Sequence, residues 1–103
     1  MDTKTKKEYS KIINHFGVDA QIQKCEEELH ELTIELYNWQ NERATKKLEK
    51  IRENIKQEMA DVFNMLYQML LVFDFSIHEI ADIRQQKNKR TLERIKNGYY
   101  KKD

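Results

Sequence analysis

The stretch LEKIRENIKQEMADVFNMLYQMLLVF, residues 48 to 73, decides the fold because its apolar residues recur at the spacing of an α-helix. On a helical wheel they form one stripe, which consists of Leu48, Ile51, Ile55, Met59, Val62, Met65, Leu66, Met69 and Phe73. Glu58 falls inside this stripe, and Asp61 lies at its edge. A carboxylate on a buried face is costly unless it is paired or binds a cation. The stretch therefore predicts a long helix that carries two acids on its apolar side for a functional reason.

The rest of the chain also predicts helices, because its 103 residues include no proline and only two glycines. Four helices and no strand are predicted, over residues 6–16, 19–41 and 45–73 and from the break at 74–76 to residue 97. Gly17 is expected to end the first helix with a left-handed conformation, and Asp19 to cap the second. Residues 99–103 are expected to form a loose tail. The predicted fold is all-α, a single four-helix bundle-like domain over residues 1–103.

The charge balance and the apolar runs exclude several classes of partner. The 19 basic and 18 acidic residues give a net charge of +1, which provides no overall field for a nucleic acid polymer or an anionic membrane. The longest apolar run, Met69 to Phe73, is too short to cross a bilayer. No apolar leader is apparent, and the lone Cys25 suits a reducing compartment. We therefore expect a cytoplasmic protein that binds neither nucleic acid polymers nor membranes.

The second helix repeats the combination of an apolar stripe with acids. Its stripe consists of Ile22, Cys25, Leu29, Leu32, Leu36 and Trp39. Glu28 borders this stripe, and Glu31 follows at a spacing of three, as Asp61 follows Glu58. If the two faces pack together, four carboxylates converge and repel one another. No lysine or arginine lies within the stripes, so Mg²⁺ or Mn²⁺, which prefer oxygen ligands, is the simplest counter-ion.

Other interpretations of these acids remain open from the residues alone. They are compatible with ordinary solvated helix faces, where such spacings are common. Glu27 and His30 match one ExxH motif of a carboxylate-bridged di-iron bundle. That architecture requires the motif on two helices, whereas the third helix offers only ExxD. A non-catalytic helical interaction module, such as an antitoxin or a phage adaptor, would use the stripes as partner-binding faces. That last interpretation leaves Glu58 on an apolar face unexplained.

Two ordered motifs resemble a known family. Residues 27–31 read EExxE and residues 58–61 read ExxD. Together with FGVDAQIQKCEEELHEL and EMADVFNMLYQML around them, they resemble the MazG-like family of all-α nucleoside triphosphate pyrophosphohydrolases, which includes the dimeric dUTPases. The resemblance covers about residues 16–95. It implies that Glu28, Glu31, Glu58 and Asp61 hold magnesium, and that the chain assembles into dimers or dimers of dimers.

Helix four supplies candidate ligands for phosphate. Lys87, Arg90 and Arg94 share one sector of the helix, and such side chains are natural partners of phosphate oxygens. Without the acidic motifs they would be read as a solvated basic face. With them, the expected reaction is attack of a metal-activated water on the α-phosphorus of a nucleoside triphosphate. The products are a nucleoside monophosphate and pyrophosphate, and the basic residues would neutralise the leaving group.

The remaining roles are expected of residues near the acidic motifs. Glu27 or Glu35 is the candidate general base or orienting group. Gln21, Trp39 and Asn64 are candidates for a nucleoside pocket, although core packing also accounts for Trp39. The apolar stripe of residues 48–73 is longer than the short first helix can cover. We therefore expect a homo-oligomer, either a dimer or a tetramer.

Overall fold

A computed structural model describes residues 1–98, which form four α-helices and contain no strand. Helix α1 spans Thr3–Phe16, α2 spans Val18–Asn41, α3 spans Thr45–Val72 and α4 spans Ile77–Lys96. The prediction of an all-α chain is confirmed, and each predicted helix is present. The tail predicted over residues 99–103 lies outside the described residues.

The starts of helices α1 and α2 differ from the predictions. Helix α1 begins three residues early, because the Oδ1 of Asp2 accepts a hydrogen bond of 2.7 Å from the backbone N–H of Thr5. Gly17 has a φ of 95°, so its predicted positive φ is confirmed, and it both ends α1 and caps α2. The prediction that Asp19 caps α2 is wrong, since Asp19 lies in the first turn.

The junction between α3 and α4 is a sharp bend built from local interactions. Asp74 has a φ of 56°, the only positive φ among the described non-glycine residues. The backbone N–H of Phe75 then donates to the carbonyl of Leu70 at 2.9 Å. Ser76 and Glu79 form a capping box that starts α4. The chain turns by 116° here, so α4 leaves the line of α3.

Packing within the chain involves mainly the first three helices. Helices α2 and α3 pack along each other, and α1 lies against both. The apolar core is small and consists of Ile13, Cys25, Val62 and Met65. Helix α4 contains no buried residue and packs along no other described helix. Within one chain, therefore, α4 does not complete the predicted four-helix bundle, because the bend directs this polar helix away from the core.

Much of the predicted apolar stripe is exposed in the single chain. Trp39, Met59, Leu66 and Phe73 are each at least 43% exposed, although the wheel placed them on the packed face. The accessible surface is 8771 Å², whereas a compact monomer of this mass exposes roughly 6,200 Å². The radius of gyration is 17.5 Å, compared with about 13 Å for a compact domain of about 100 residues. The helices thus leave apolar surface that one chain does not cover.

A test of helix length and hydropathy finds no single membrane-crossing helix among residues 1–98. Helices α3 and α4 pass that test only when they are joined across their 116° bend. A single bent pair of this kind is weak evidence for a membrane span, since core helices also pass.

Candidate metal site

Helices α2 and α3 bring three acidic side chains to one place. Each of Glu28, Glu31 and Glu58 has a carboxylate oxygen within 4.8 Å of the others. Glu28 and Glu31 are one turn apart on α2 and project from the same side of the helix. Glu58 reaches them from α3, because the two helices pack along this face. The structure therefore assembles three of the four predicted metal ligands.

Two of the three carboxylates in this cluster have an enclosed oxygen without a hydrogen-bond donor. Glu28 is buried, with 6% of its surface exposed, and Glu58 is half-buried. The Oε2 atoms of both residues are shielded from solvent and have no hydrogen-bond partner. Such orphaned oxygens are rare in folded proteins and are costly when charged. An oxygen-rich set with two unsatisfied atoms fits Mg²⁺ or Mn²⁺, since both ions take carboxylate ligands.

Burial and the neighbouring carboxylates shift the pKa of Glu58. Desolvation is the largest cause that raises the pKa of Glu58 above its usual 4.5. The charge of Glu31 and a hydrogen bond with that side chain raise the pKa further, and the charges of Asp61 and Glu28 add to the effect. The site therefore disfavours the ionised form of Glu58 when no cation is present. A bound divalent cation would reverse that preference.

A lysine supplies part of the missing positive charge. The Nζ of Lys24 lies 3.0 Å from Oε1 of Glu28 and 3.9 Å from Oε2 of Glu27. Because no lysine lies within the apolar stripes, the sequence does not predict a lysine as the counter-ion. That expectation is wrong, since the side chain of Lys24 reaches along α2 from one turn before Glu28. It satisfies only one oxygen of Glu28 and leaves Oε2 unpaired.

The fourth predicted ligand, Asp61, lies beside the cluster. It is exposed and is not among the three side chains whose oxygens lie within 4.8 Å of one another. Its charge nevertheless raises the pKa of Glu58, so the two side chains are close. Asp61 lines an open cavity of about 560 Å³ between α1, α2 and α3. Glu27 and Glu28 line the same cavity, which therefore adjoins the carboxylate cluster.

The cavity is lined by amide, charged and apolar side chains. The Nε2 of Gln21 donates a hydrogen bond of 2.7 Å to Oε1 of Gln68, and both residues are buried. The Oδ1 of Asn64 accepts a hydrogen bond of 2.7 Å from the hydroxyl of Tyr9. The cavity is lined by Ile12, Phe16, Ala20, Gln21, Gln23, Lys24, Glu27, Glu28, Asp61, Asn64, Met65 and Gln68. Two predicted nucleoside contacts, Gln21 and Asn64, thus share one cavity with the acids.

Two other predicted residues lie further along α2. Trp39 follows Gln21 by 18 positions, which is roughly 27 Å along a helix. In a single chain it therefore does not share a pocket with Gln21. Glu35 is half-buried, and its Oε2 accepts a hydrogen bond of 3.4 Å from Nδ2 of Asn54. Glu27 lies at the cavity, whereas Glu35 lies one turn beyond the cluster, so the structure separates the two candidate bases.

The predicted phosphate ligands occupy a separate region. Lys87 and Arg90 line a groove on α4 together with Ile83 and Gln86. Arg94 lies one turn further along and is half-buried. Because α4 packs along neither α1 nor α2, a single chain does not bring these residues to the carboxylates.

The predicted site residues did not include Lys24, Gln68 or Phe16, which line the cavity, or Tyr9, which donates a hydrogen bond to Asn64. Lys24 had a readable signal, since it precedes Glu28 by four positions on the same helix face. Gln68 also had one, because it is a polar residue seven positions after Asp61 on the packed side of α3. The hydrogen bond between Tyr9 and Asn64 joins residues 55 positions apart, and no local pattern predicts it.

Comparisons with known proteins do not place the chain in a family. No family model matches it, and neither a curated protein nor a solved structure gives a match. The geometry of the carboxylate cluster and the resemblance of its motifs are therefore the grounds for a functional proposal.

Proposed function

We propose that the protein is a Mg²⁺-dependent hydrolase that splits nucleoside triphosphates into a nucleoside monophosphate and pyrophosphate. The observation that carries this proposal is the cluster of Glu28, Glu31 and Glu58, with two enclosed oxygens that lack partners. A cavity large enough for a small ligand adjoins the cluster. The resemblance of EExxE and ExxD to the MazG-like motifs supports the same reaction.

The three clustered glutamates would hold the cation, and Asp61 would join them from the cavity side. When bound, Mg²⁺ or Mn²⁺ polarises phosphate oxygens and lowers the pKa of a water ligand. Glu27 is the better-placed general base of the two candidates, because it is exposed at the cavity beside Glu28. Glu35 is better suited to holding α2 and α3 in register through its hydrogen bond with Asn54.

The nucleoside would occupy the cavity beside the cluster. Gln21 uses its Nε2 and Gln68 its Oε1 in their mutual hydrogen bond, so the Oε1 of Gln21 and the Nε2 of Gln68 remain to contact a ligand. Asn64 uses its Oδ1 on Tyr9 and keeps its Nδ2 available. The apolar side chain of Phe16 lines the same cavity and offers a surface for a base. Trp39 would contribute only if another copy of the chain brings it near.

The active assembly would be a cytoplasmic homo-oligomer, a dimer or a tetramer. The exposed apolar side chains of α2 and α3 and the large surface of one chain support this proposal. A neighbouring copy would bring its α4 across, so that its Lys87, Arg90 and Arg94 contact the triphosphate. That arrangement would unite the acidic and basic regions that one chain keeps apart.

A non-catalytic helical interaction module is the second candidate. An open apolar groove of about 550 Å³ between α3 and α4 favours it, with Phe63, Leu66 and Ile80 among its lining residues. Such a groove suits a partner helix. The di-iron alternative has less support, because the described carboxylate cluster includes no histidine.

Pyrophosphate release separates the enzyme from the interaction module. The purified protein is incubated with a panel of canonical and modified nucleoside triphosphates, with Mg²⁺ or with EDTA. We expect Mg²⁺-dependent release of equal amounts of pyrophosphate and nucleoside monophosphate from at least one nucleotide. Release of inorganic phosphate alone, or no release from any nucleotide, would contradict the proposal.

A further inference from the structure

The ion pair between Lys24 and Glu28 joins a half-exposed cation to a buried anion. The Nζ of Lys24 lies 3.0 Å from Oε1 of Glu28, whose side chain is only 8% exposed. The side chain of Lys24 is 49% exposed, so solvent can receive its ammonium group without any movement of α2. The other oxygen of Glu28 is enclosed and has no partner. Lys24 therefore neutralises part of the negative charge of the cluster but leaves one oxygen of Glu28 without a partner.

Lys24 and a divalent cation would share Glu28 as a counter-ion. A cation among Glu28, Glu31 and Glu58 would lie close to the ammonium group, because all three glutamates have oxygens within 4.8 Å of one another. Like charges at such a separation repel, and burial weakens the screening by solvent. Binding of the cation therefore opposes the ion pair, and the ion pair opposes binding of the cation.

The cavity provides a place for the displaced side chain. Lys24 lines the cavity together with Glu27, Asp61 and Asn64. An ammonium group that leaves Glu28 would thus lie where the proposed triphosphate approaches the cluster. Lysine binds phosphate oxygens as a compact point charge on a flexible stem.

We propose that Lys24 competes with the divalent cation for Glu28, and that it contacts the substrate's phosphates once the cation displaces it. This inference rests on the proposed function, since it requires a cation among the three glutamates. It implies that Lys24 lowers the affinity of the free protein for the cation and raises the affinity of the metal-loaded protein for polyphosphate. Nucleotide and cation would therefore each strengthen the binding of the other through one side chain.

The first test measures Mn²⁺ binding to the nucleotide-free protein by electron paramagnetic resonance. Lys24→Gln and Lys24→Met are compared with the wild type, and Lys56→Gln is the matched control. Lys56 forms a comparable ion pair, with its Nζ 3.1 Å from Oε2 of Glu53, on the surface of α3. We expect both Lys24 variants to bind Mn²⁺ about five- to tenfold more tightly, and the Lys56 variant to bind like the wild type.

Each outcome of this test has a distinct meaning. Equal Mn²⁺ affinity in the wild type and the Lys24 variants would overturn the competition while leaving the metal site standing. Absence of Mn²⁺ binding in every protein would overturn the site and the competition together. Two variants with different side chains guard against a failure to fold, and circular dichroism identifies any variant that has lost its helices.

The second test measures the binding of inorganic tripolyphosphate to the Mn²⁺-loaded proteins by calorimetry. We expect Lys24→Gln to weaken this binding about tenfold, because it removes a charge-assisted contact. Binding of tripolyphosphate that equals the wild type would overturn the contact with phosphate. Tripolyphosphate carries no base, so the result does not depend on which nucleotide the protein prefers.

Discussion

The α2–α3 interface and helix α4 are two amphipathic regions of one chain that differ in how they pack. Along α2 and α3, the predicted faces meet and bring Glu28, Glu31 and Glu58 together. Helix α4 is equally regular, but it has no buried residue and extends beyond a bend of 116°. Side chains on separate helices come together where the helix faces pack along each other, as those of α2 and α3 do. Under the proposed function, one chain would supply the acidic residues of the site and a neighbouring copy would supply the basic residues of its α4.

The largest expected effect is the loss of the cluster's central acid. Glu58→Gln should reduce nucleotide hydrolysis by about 100-fold or more, because it removes a proposed ligand of the cation and its negative charge. The matched control is Glu53→Gln, an exposed acid on the same helix that pairs with Lys56. Pyrophosphate release measures both. A Glu58→Gln protein as active as the Glu53→Gln protein would refute the metal site.

The next effect concerns the basic face of α4. Arg90→Ala and Lys87→Ala should each weaken triphosphate binding about tenfold, because each removes a proposed charge-assisted contact with a phosphate. Binding of a monophosphate should change less. Lys89→Ala is the control, since Lys89 lines a different groove of the same helix. Equal losses for triphosphate and monophosphate, measured by calorimetry, would exclude a triphosphate clamp on α4.

The proposed homo-oligomer would bring the acidic and basic regions together. Light scattering at micromolar concentration should give at least twice the 12.6 kDa of one chain. Leu66→Glu should shift the protein toward the monomer, because Leu66 is 45% exposed on the apolar side of α3. The variant should also lose activity while its circular dichroism remains helical. A monomeric wild type that hydrolyses nucleotides at full rate would show that α4 need not come from a neighbour.

The smallest effect is on stability in the absence of metal. The raised pKa of Glu58 means that the folded state binds its proton more tightly than the unfolded state does. The contribution of Glu58 to the free energy of unfolding therefore falls as pH rises from the unfolded pKa, near 4.5, through the folded pKa. Glu58→Gln should remove this slope and raise the metal-free melting temperature by a few degrees. Calorimetric melts in EDTA across that pH range measure it, and an unchanged slope would count against an uncompensated carboxylate.

Sequence patterns predicted the part of the molecule that depends on local spacing. The four helices and the convergence of Glu28, Glu31 and Glu58 follow from residue periodicity on two helices that pack along each other. The direction of α4 did not follow, because it depends on the backbone conformation of Asp74. The helical wheels also predicted more core residues than the single chain buries. An apolar stripe identifies the face of a helix that is covered, but it does not show which molecule covers it.

Hydrogen bonds between side chains that are far apart in the sequence could not be predicted either. The bond between Gln21 and Gln68 and the bond between Tyr9 and Asn64 join residues far apart in the chain. Helix periodicity places each residue on a face, but the choice of partner depends on how the helices are rotated. Lys24 was overlooked for a related reason, since its backbone lies outside the apolar stripe while its long side chain reaches Glu28.

Anomalous diffraction from crystals grown with Mn²⁺ tests the central claim most directly. We expect a manganese peak within coordination distance of Glu28, Glu31 and Glu58, with Asp61 adjacent and the ammonium of Lys24 moved away from Glu28. Crystals of the Glu58→Gln variant grown in the same way should show a weaker manganese peak or none. Crystals of the Glu53→Gln variant should show the same peak as the wild type. An empty carboxylate cluster in wild-type crystals at millimolar Mn²⁺, with Lys24 still on Glu28, would contradict the account.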